Sequence, residues 1–332
     1  MPNLVNPKIE VTVKGTADFI LSDLDMEFDI TKDLSDNPNT AELLIYNLGP
    51  NLKKQLGNAE NQEAPIEIRI TPSGSKDLVL AYGGEIQDVY TEFLNPGHVT
   101  TVLCESQKIN HRAFPFDAEY KEGTPLNSIA EDLITAIGLP VGNKADIDTS
   151  GISLSQTFSG PAFPLLERLI YDQGLRAYIT DGVLHISSIY VAGNFSVFKI
   201  VPGMILGGSE PRDTLRNDNF EIEMRTHVES QGTDPFSKVS KKKRKEKKQW
   251  ASGTYVEYDG VDKAIIGVEI PLLAQPIINP DQILILDVED YKKKYFRTQS
   301  VNHWGNNEFF DNWTTTINAD LYEDNGGDLS AL

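Results

Sequence analysis

Residues 37–48 read NPNTAELLIYNL, and what this stretch needs around it decides the architecture. The turn residues Asn37-Pro38-Asn39 stand directly before a run of β-forming residues at 40–48. Period-2 alternation puts Ala41, Leu43, Ile45 and Asn47 on one face and Glu42, Leu44, Tyr46 and Leu48 on the other. A strand with one solvated face alternates apolar and polar. This one is apolar on both sides, so it asks for cover from its own core and from something else.

Working outward, residues 1–118 hold a series of short strand candidates at 8–13, 26–31, 40–47, 66–71, 78–82, 84–90 and 99–105. A short helix is expected at 50–56, with Pro50 in its first turn and Gly57 as its stop. Short strands separated by turn signals argue for a barrel or sandwich. The character then changes. TPLNSIAEDLITAIGLP (124–140) has Thr124 as a candidate N-cap, Pro125 at the first helical position and Gly138 past the end. Leu126, Ile129, Ala130, Leu133, Ile134 and Ile137 mark one face at helical spacing. FPLLERLIYDQG (163–174) makes a second helix, and LRAYITDGVLHIS after it alternates as a hairpin turning at Asp181-Gly182, a type I′ signal. Residues 119–202 therefore form a small α+β domain. From Asn219 the pattern is β again, with strands at 220–228, 254–258, 283–288, 295–302 and 313–321, so 203–332 is read as a second β-barrel domain. The fold class is β-rich α+β, two similar β-barrel domains joined by the small α+β domain.

A weak internal repeat links the β regions. GGEIQDVY and HVTTVLCES in the first match YFRTQSVNH and NWTTTINAD in the second. The matched pairs are Gln87/Gln299, Val89/Val301 and Thr100-Thr101/Thr314-Thr315. Two unrelated β domains is the competing reading.

The bulk composition narrows the function. A chain of 332 residues with 39% hydrophobic content holds two or three domains with sizeable cores. Its net charge of −19 disfavours nucleic-acid recognition, which shows a basic face. One cysteine, Cys104, leaves no intramolecular disulfide framework and fits synthesis in a reducing compartment. No segment approaches a membrane span, and MPNLVNPKIE lacks the features of a signal peptide.

No catalytic constellation emerges. The five histidines show no metal-ligand spacing, no phosphate-binding glycine loop is present, and GGSEP at 207–211 lacks the second glycine of a nucleophile elbow. Glu85 with Asp88, or Asp23 with Asp25, would serve as a glycosidase pair, but 49 acidic residues generate such pairs freely. No cofactor or metal is expected. The basic run KKKRKEKK (241–248), within a loop at about 232–252, carries Lys241, Lys242, Lys243, Arg244, Lys245, Lys247 and Lys248 against one glutamate. It reads either as a solvated flexible loop or as an arm that contacts an acidic partner or DNA phosphate.

The ordered series resembles the baseplate hub proteins of contractile-tailed phages and phage-like particles, the late-control D family, related to the hub portion of type VI secretion spikes. It is carried by FDITKDLSDNPNTAELLIYNL (28–48), GTPLNSIAEDLITAIGL, SGPAFPLLERLIYDQGLRAYITDGVLHI (159–186), GGSEPRD (207–213) and PDQILILDVEDYKKKYFRTQSVNHWGNNEFFDNWTTTI (280–317). The basic loop departs from the family pattern. The resemblance implies a non-enzymatic homotrimeric ring that adapts a hexameric tail tube to a trimeric spike. Other partners would be baseplate wedge or further baseplate proteins, with DNA only passing through an acidic lumen. It places the protein in the tail baseplate of a virion, assembled in the host cytoplasm. Leu44, Tyr46, Leu48, Val89 and Val301 would then lie at subunit or tube interfaces. The alternatives from other classes are a tail-associated peptidoglycan hydrolase and a carbohydrate-binding tail-tip module using Trp250, Trp304 and Trp313.

Overall fold

The computed structural model describes residues 8–15, 18–34, 38–60, 63–72, 75–94, 96–106, 115–189, 197–201, 204–206, 223–228, 247–250, 253–256, 263–286, 295–307 and 313–322. Only the backbone is described for 223–228, 247–250, 253–256, 263–267 and 321. The chain is β-rich, as expected, and in chain order a small α+β unit lies between two β regions.

The first β region comprises β1 (Ile9–Val13), β2 (Phe19–Leu21), β3 (Met26–Asp33), β4 (Thr40–Tyr46), helix α1 (Pro50–Glu60), β5 (Pro65–Ile70), β6 (Val79–Leu94) and β7 (Gly97–Glu105). Its strands alternate as the period-2 reading requires. Met26, Phe28 and Ile30 of β3 and Ala41, Leu43 and Ile45 of β4 face the core, each 2% exposed or less. Burying such side chains contributes roughly 1.5–3 kcal/mol each. Helix α1 runs past Gly57, which the sequence marked as a stop. Leu56 and Ala59 are both buried, and this packing outweighs the glycine's weak local preference. The expected strands 78–82 and 84–90 are one strand, β6, bulged at Gln87.

The α+β unit contains β8 (Pro115–Tyr120), α2 (Leu126–Ile137), β9 (Val141–Lys144), β10 (Gln156–Pro161), α3 (Ala162–Tyr171), β11 (Leu175–Thr180) and β12 (Val183–Ser188). Its helices pack into a separate core of 18 buried residues. Helix α2 ends where the sequence requires, at Gly138 with φ 71. Its start differs. Pro125, not Thr124, holds the N-cap position, and the Thr124 hydroxyl donates to the Lys121 carbonyl instead. The β11–β12 hairpin turns on Asp181 (φ 52) and Gly182 (φ 77), the two positive angles of a type I′ turn.

The second β region holds β13 (Val197–Ile200), β14 (Glu223–Val228), β15 (Lys247–Trp250), β16 (Gly253–Val256), β17 (Lys263–Leu273), β18 (Ile283–Leu286), β19 (Tyr295–Asn306) and β20 (Thr314–Tyr322). Strand β17 lies outside the strands the sequence predicts, and Gly267 and Pro271 interrupt its pattern. It nevertheless pairs with β20 along seven residues.

The two β regions join edge to edge. Strand β19 pairs with β3 from Ser300↔Asp33 to Asn306↔Glu27, giving one 13-stranded sheet in the order β14-β17-β20-β19-β3-β4-β7-β6-β5-β1-β2. Among the described residues the pairings form an open path, and none closes either half into a barrel.

Candidate functional site

The sheet contains the same path twice. In the first half the neighbours run β3-β4-β7-β6-β5-β1, and in the second β14-β17-β20-β19-β18-β13. Chain order is preserved between the two. Among the described residues the departures are helix α1 and strand β2, which have no counterpart in the second half, a parallel β13–β18 pair where β1–β5 is antiparallel, and the β15–β16 hairpin inserted between β14 and β17. That hairpin stands where the first half has its short turn before Thr40.

Fine detail repeats as well. The ladder of β6 on β7 is bulged at Gln87, and that of β19 on β20 at Gln299. Beyond the bulges Val89 faces Val102 and Val301 faces Ile317. Thr91 and Thr100 share a hydrogen bond at 3.1 Å across one ladder, and His303 Nδ1 and Thr315 Oγ1 share one at 3.0 Å across the other. Register therefore matches Thr100-Thr101 to Thr315-Thr316, one residue along from the sequence pairing. In strands β3 and β14 the same logic aligns Ile30 with Met224. The sequences MEFDI (26–30) and FEIEM (220–224) then correspond, a likeness that only the register reveals.

The expected interface residues divide. Leu44 and Tyr46 are half-buried on the face turned from the core, while Val89, also half-buried, packs against the first core. Leu48 and Val301, at 0% and 1% exposure, lie inside the chain's own cores. Their assignment to an interface is corrected, since a side chain closed within its own core has no surface for a partner. Asn37 and basic residues Lys241, Lys242, Lys243, Arg244 and Lys245 fall outside the described residues, while Lys247 and Lys248 begin the β15–β16 hairpin. Trp313 is a core residue packed edge to face on Phe28, centroids 5.3 Å apart, across the β19–β3 joint.

Turned from the core, β3, β4, β6 and β19 present Asp29, Glu42 and Asp88 as exposed carboxylates beside Glu27, Thr31, Asn302 and Trp304. Asp29 stands directly across from Glu42. Like charges opposed on a sheet cost stability, so this face is acidic at a cost the fold accepts.

Sequence reasoning missed the polar junction where the three units meet. Lys32 continues the inward series Met26, Phe28, Ile30, which was the available signal. Its side chain is fully buried, and Nζ donates to Asp181 Oδ2 at 2.7 Å and to Asn279 Oδ1 at 2.9 Å. Asp181 Oδ1 accepts the Gly83 N–H at 2.9 Å. One ammonium thus ties β3, the β11–β12 turn and the second β region together. Asn39, from the opening stretch, adds a further tie. Its side chain accepts the Asp33 N–H and donates to the Ile179 carbonyl, and its carbonyl accepts the Tyr82 hydroxyl.

Alongside, Asp281 is 1% exposed and is held by Arg297 through Nε at 2.5 Å and by the Tyr178 hydroxyl at 3.0 Å. Arg176 lies 3.8 Å from the same carboxylate, and Arg297 also reaches Ser187. Burial, reinforced by Asp281, pushes the Tyr178 hydroxyl well up, so it stays a donor. Tyr178 stacks on His185, centroids 5.0 Å apart. Burial also lowers His185, whose Nδ1 accepts the Asn143 N–H. Asp281, Arg297, Tyr178 and His185 are each engaged with another protein group, which is the arrangement of a structural joint, although the Arg176 Nε is buried without a hydrogen-bond partner.

Among the described residues no group of three or more His, Cys, Asp or Glu could hold a metal ion, and no helix is long and apolar enough to cross a membrane. No family model matches the sequence, and no curated protein matches it. Solved structures do. The chain is similar to a tail protein from Neisseria meningitidis MC58, with a TM-score of 0.56, 11% identity, and 95% of this chain and 97% of that one covered. It is similar to the 43 kDa tail protein of prophage MuSo2 from Shewanella oneidensis, with TM-score 0.54, 12% identity and 94% and 98% coverage. A third is an E. coli component of the type VI secretion system, described as structurally similar to the T4 bacteriophage tail proteins gp27 and gp5, with TM-score 0.55, 10% identity and 96% and 78% coverage. The fold is therefore the one found in phage tail proteins and a type VI secretion component, over 94–96% of this chain.

Proposed function

We propose that this chain is a structural, non-enzymatic baseplate hub of a contractile tail or a related particle. In this reading three copies form a ring that joins a six-membered tube to a three-membered spike, with other baseplate proteins around it. The observation that carries the reading is the six-strand path present twice in one chain. A closed threefold ring of such chains offers six similar surfaces, which is what a sixfold tube requires. The two β regions, at 1–118 and 203–332, would be barrel-type ring units, and the α+β domain at 119–202 would sit on them through Lys32 and Asp281.

The acidic face fits the same role. A ring lined by Asp29, Glu42 and Asp88 repels a phosphate backbone, so DNA in transit does not adhere to the wall. Leu44 and Tyr46 are the side chains available for subunit or tube contact, and Val89 would take part through the backbone edge of β6, its side chain being packed on its own core. Assembly in a host cytoplasm and residence in the tail follow from this role. The fold shared with tail proteins supports it over a peptidoglycan hydrolase or a carbohydrate-binding module, and Trp313's place in the core removes one aromatic from the latter.

Light scattering on the purified chain, with imaging of native particles, tests the proposal. A threefold ring at the end of the tube is expected. A monomer at all concentrations that is also absent from tail particles refutes it.

A further inference from the structure

The repeat leaves one of its own joints unmade. Strand β19 is paired on both sides, by β20 on one edge and, from Ser300 to Asn306, by β3 on the other. Its counterpart β6 is paired by β7 on one edge, while β5 covers the other only as far as Glu85. Residues 88–94, the equivalents of 300–306, have no strand on that second edge among the described residues. At the opposite end of the sheet β14, the counterpart of β3, pairs with β17 alone. The β16 strand approaches β14, but no ladder joins them.

A long open edge is a template for another strand, and folded proteins ordinarily blunt or cover one. Here the edge is neither short nor basic. It ends in Tyr90, Phe93 and Leu94, which are 40%, 87% and 53% exposed. The complementary edge belongs to the same chain but lies at the far end of its sheet.

We infer that β6 of one copy pairs with β14 of the next copy, antiparallel, in the register that β19 and β3 use within the chain. This rests on the ring reading above and names the strands that would close it. Transferring the β19–β3 register through the repeat sets Asp88 opposite His227, Val89 opposite Thr226, Tyr90 opposite Arg225, Thr91 opposite Met224 and Glu92 opposite Glu223. At the bulge, the Leu34 N–H donates to the Gln299 carbonyl; the equivalent donor and acceptor are Val228 and Gln87. The contact is head to tail, one edge meeting a different edge, so it closes only through rotation into a ring. Intrachain and interchain joints then alternate around the ring, and each copy supplies one of each.

The test is cysteine cross-linking under mild oxidation, on the purified chain and in tail particles, with buried Cys104 left in place. Chains carrying Tyr90→Cys are mixed with chains carrying Arg225→Cys, and a Tyr90→Cys/Arg225→Cys double variant is oxidised separately. The expected result is a linked dimer from the mixture and a covalent trimer from the double variant. Yields should exceed those of a Tyr90→Cys and Thr226→Cys mixture by about tenfold, because only an in-register pair facing one side meets the ~4.4–6.8 Å Cα window of a disulfide. A ring of the right mass in which 90 and 225 do not link overturns this inference and leaves the ring reading standing. A chain that is monomeric in every preparation overturns both.

Discussion

Replacing Asp181 by Asn isolates the charge that holds the three units together. Asparagine tolerates the positive φ of 52 at this turn position and keeps an oxygen for the Gly83 N–H, so the hairpin is preserved. What changes is Lys32. Its fully buried ammonium loses its counter-charge and retains the Asn279 oxygen at 2.9 Å. Removing one partner of a buried ion pair costs about 3–5 kcal/mol. Asp181 keeps 14% side-chain exposure, which gives water some access, so the lower end, about 3 kcal/mol, is the expected loss. In urea this is a midpoint shift of about 1.5 M for an m-value of ~2 kcal/mol/M. Trp313, packed on Phe28 at the β19–β3 joint, supplies the fluorescence signal. A Lys32→Met/Asp181→Asn double variant removes both charges and should recover most of the loss. A single variant that shifts stability by no more than the ~0.5 kcal/mol of an exposed pair would refute the claim that this contact is a buried joint.

Three further outcomes are expected. Gly305→Ala places a Cβ 2.8 Å from Trp313 Cδ1 and 3.2 Å from Phe28 Cζ, and such overpacking should lower stability by about 1–3 kcal/mol in a urea titration. Burial, with Glu63 nearby, raises Glu85 above its ordinary value, so the folded chain holds that proton more tightly and loses stability as pH rises through the ordinary carboxylate range; Glu85→Gln should therefore raise the melting temperature at neutral pH, with the gain vanishing in acid. Burial lowers His303 to about 3, so the unfolded chain binds its proton first and stability falls as pH drops from the ordinary histidine value towards 3; His303→Gln should flatten that decline, and an unchanged pH profile would count against a neutral buried imidazole.

The sequence by itself determined the locally encoded parts. The α2 stop at Gly138, the I′ turn at Asp181-Gly182 and the inward faces of β3 and β4 each depend on residues a few positions apart, whose backbone angles and side-chain periodicity are set by neighbours. The repeat was visible at Gln87/Gln299 for the same reason, although a one-residue slip in the second strand cannot be detected without a ladder to count along. Tertiary structure alone decided the rest. Whether Leu48 and Val301 face a core or a neighbour, and whether Lys32 finds a partner, depends on chain segments far away. Lys32 meets Asp181 across 149 residues, and Asn302 meets Asp29 across 273. The β17 strand was hidden by Gly267 and Pro271, which read as breaks in isolation but are held in a ladder by β20. The physical reason is common to all of these. Strand pairing is satisfied by hydrogen bonds to a partner segment, so a strand's register and its open edge are properties of the pair, and no single stretch of sequence contains them.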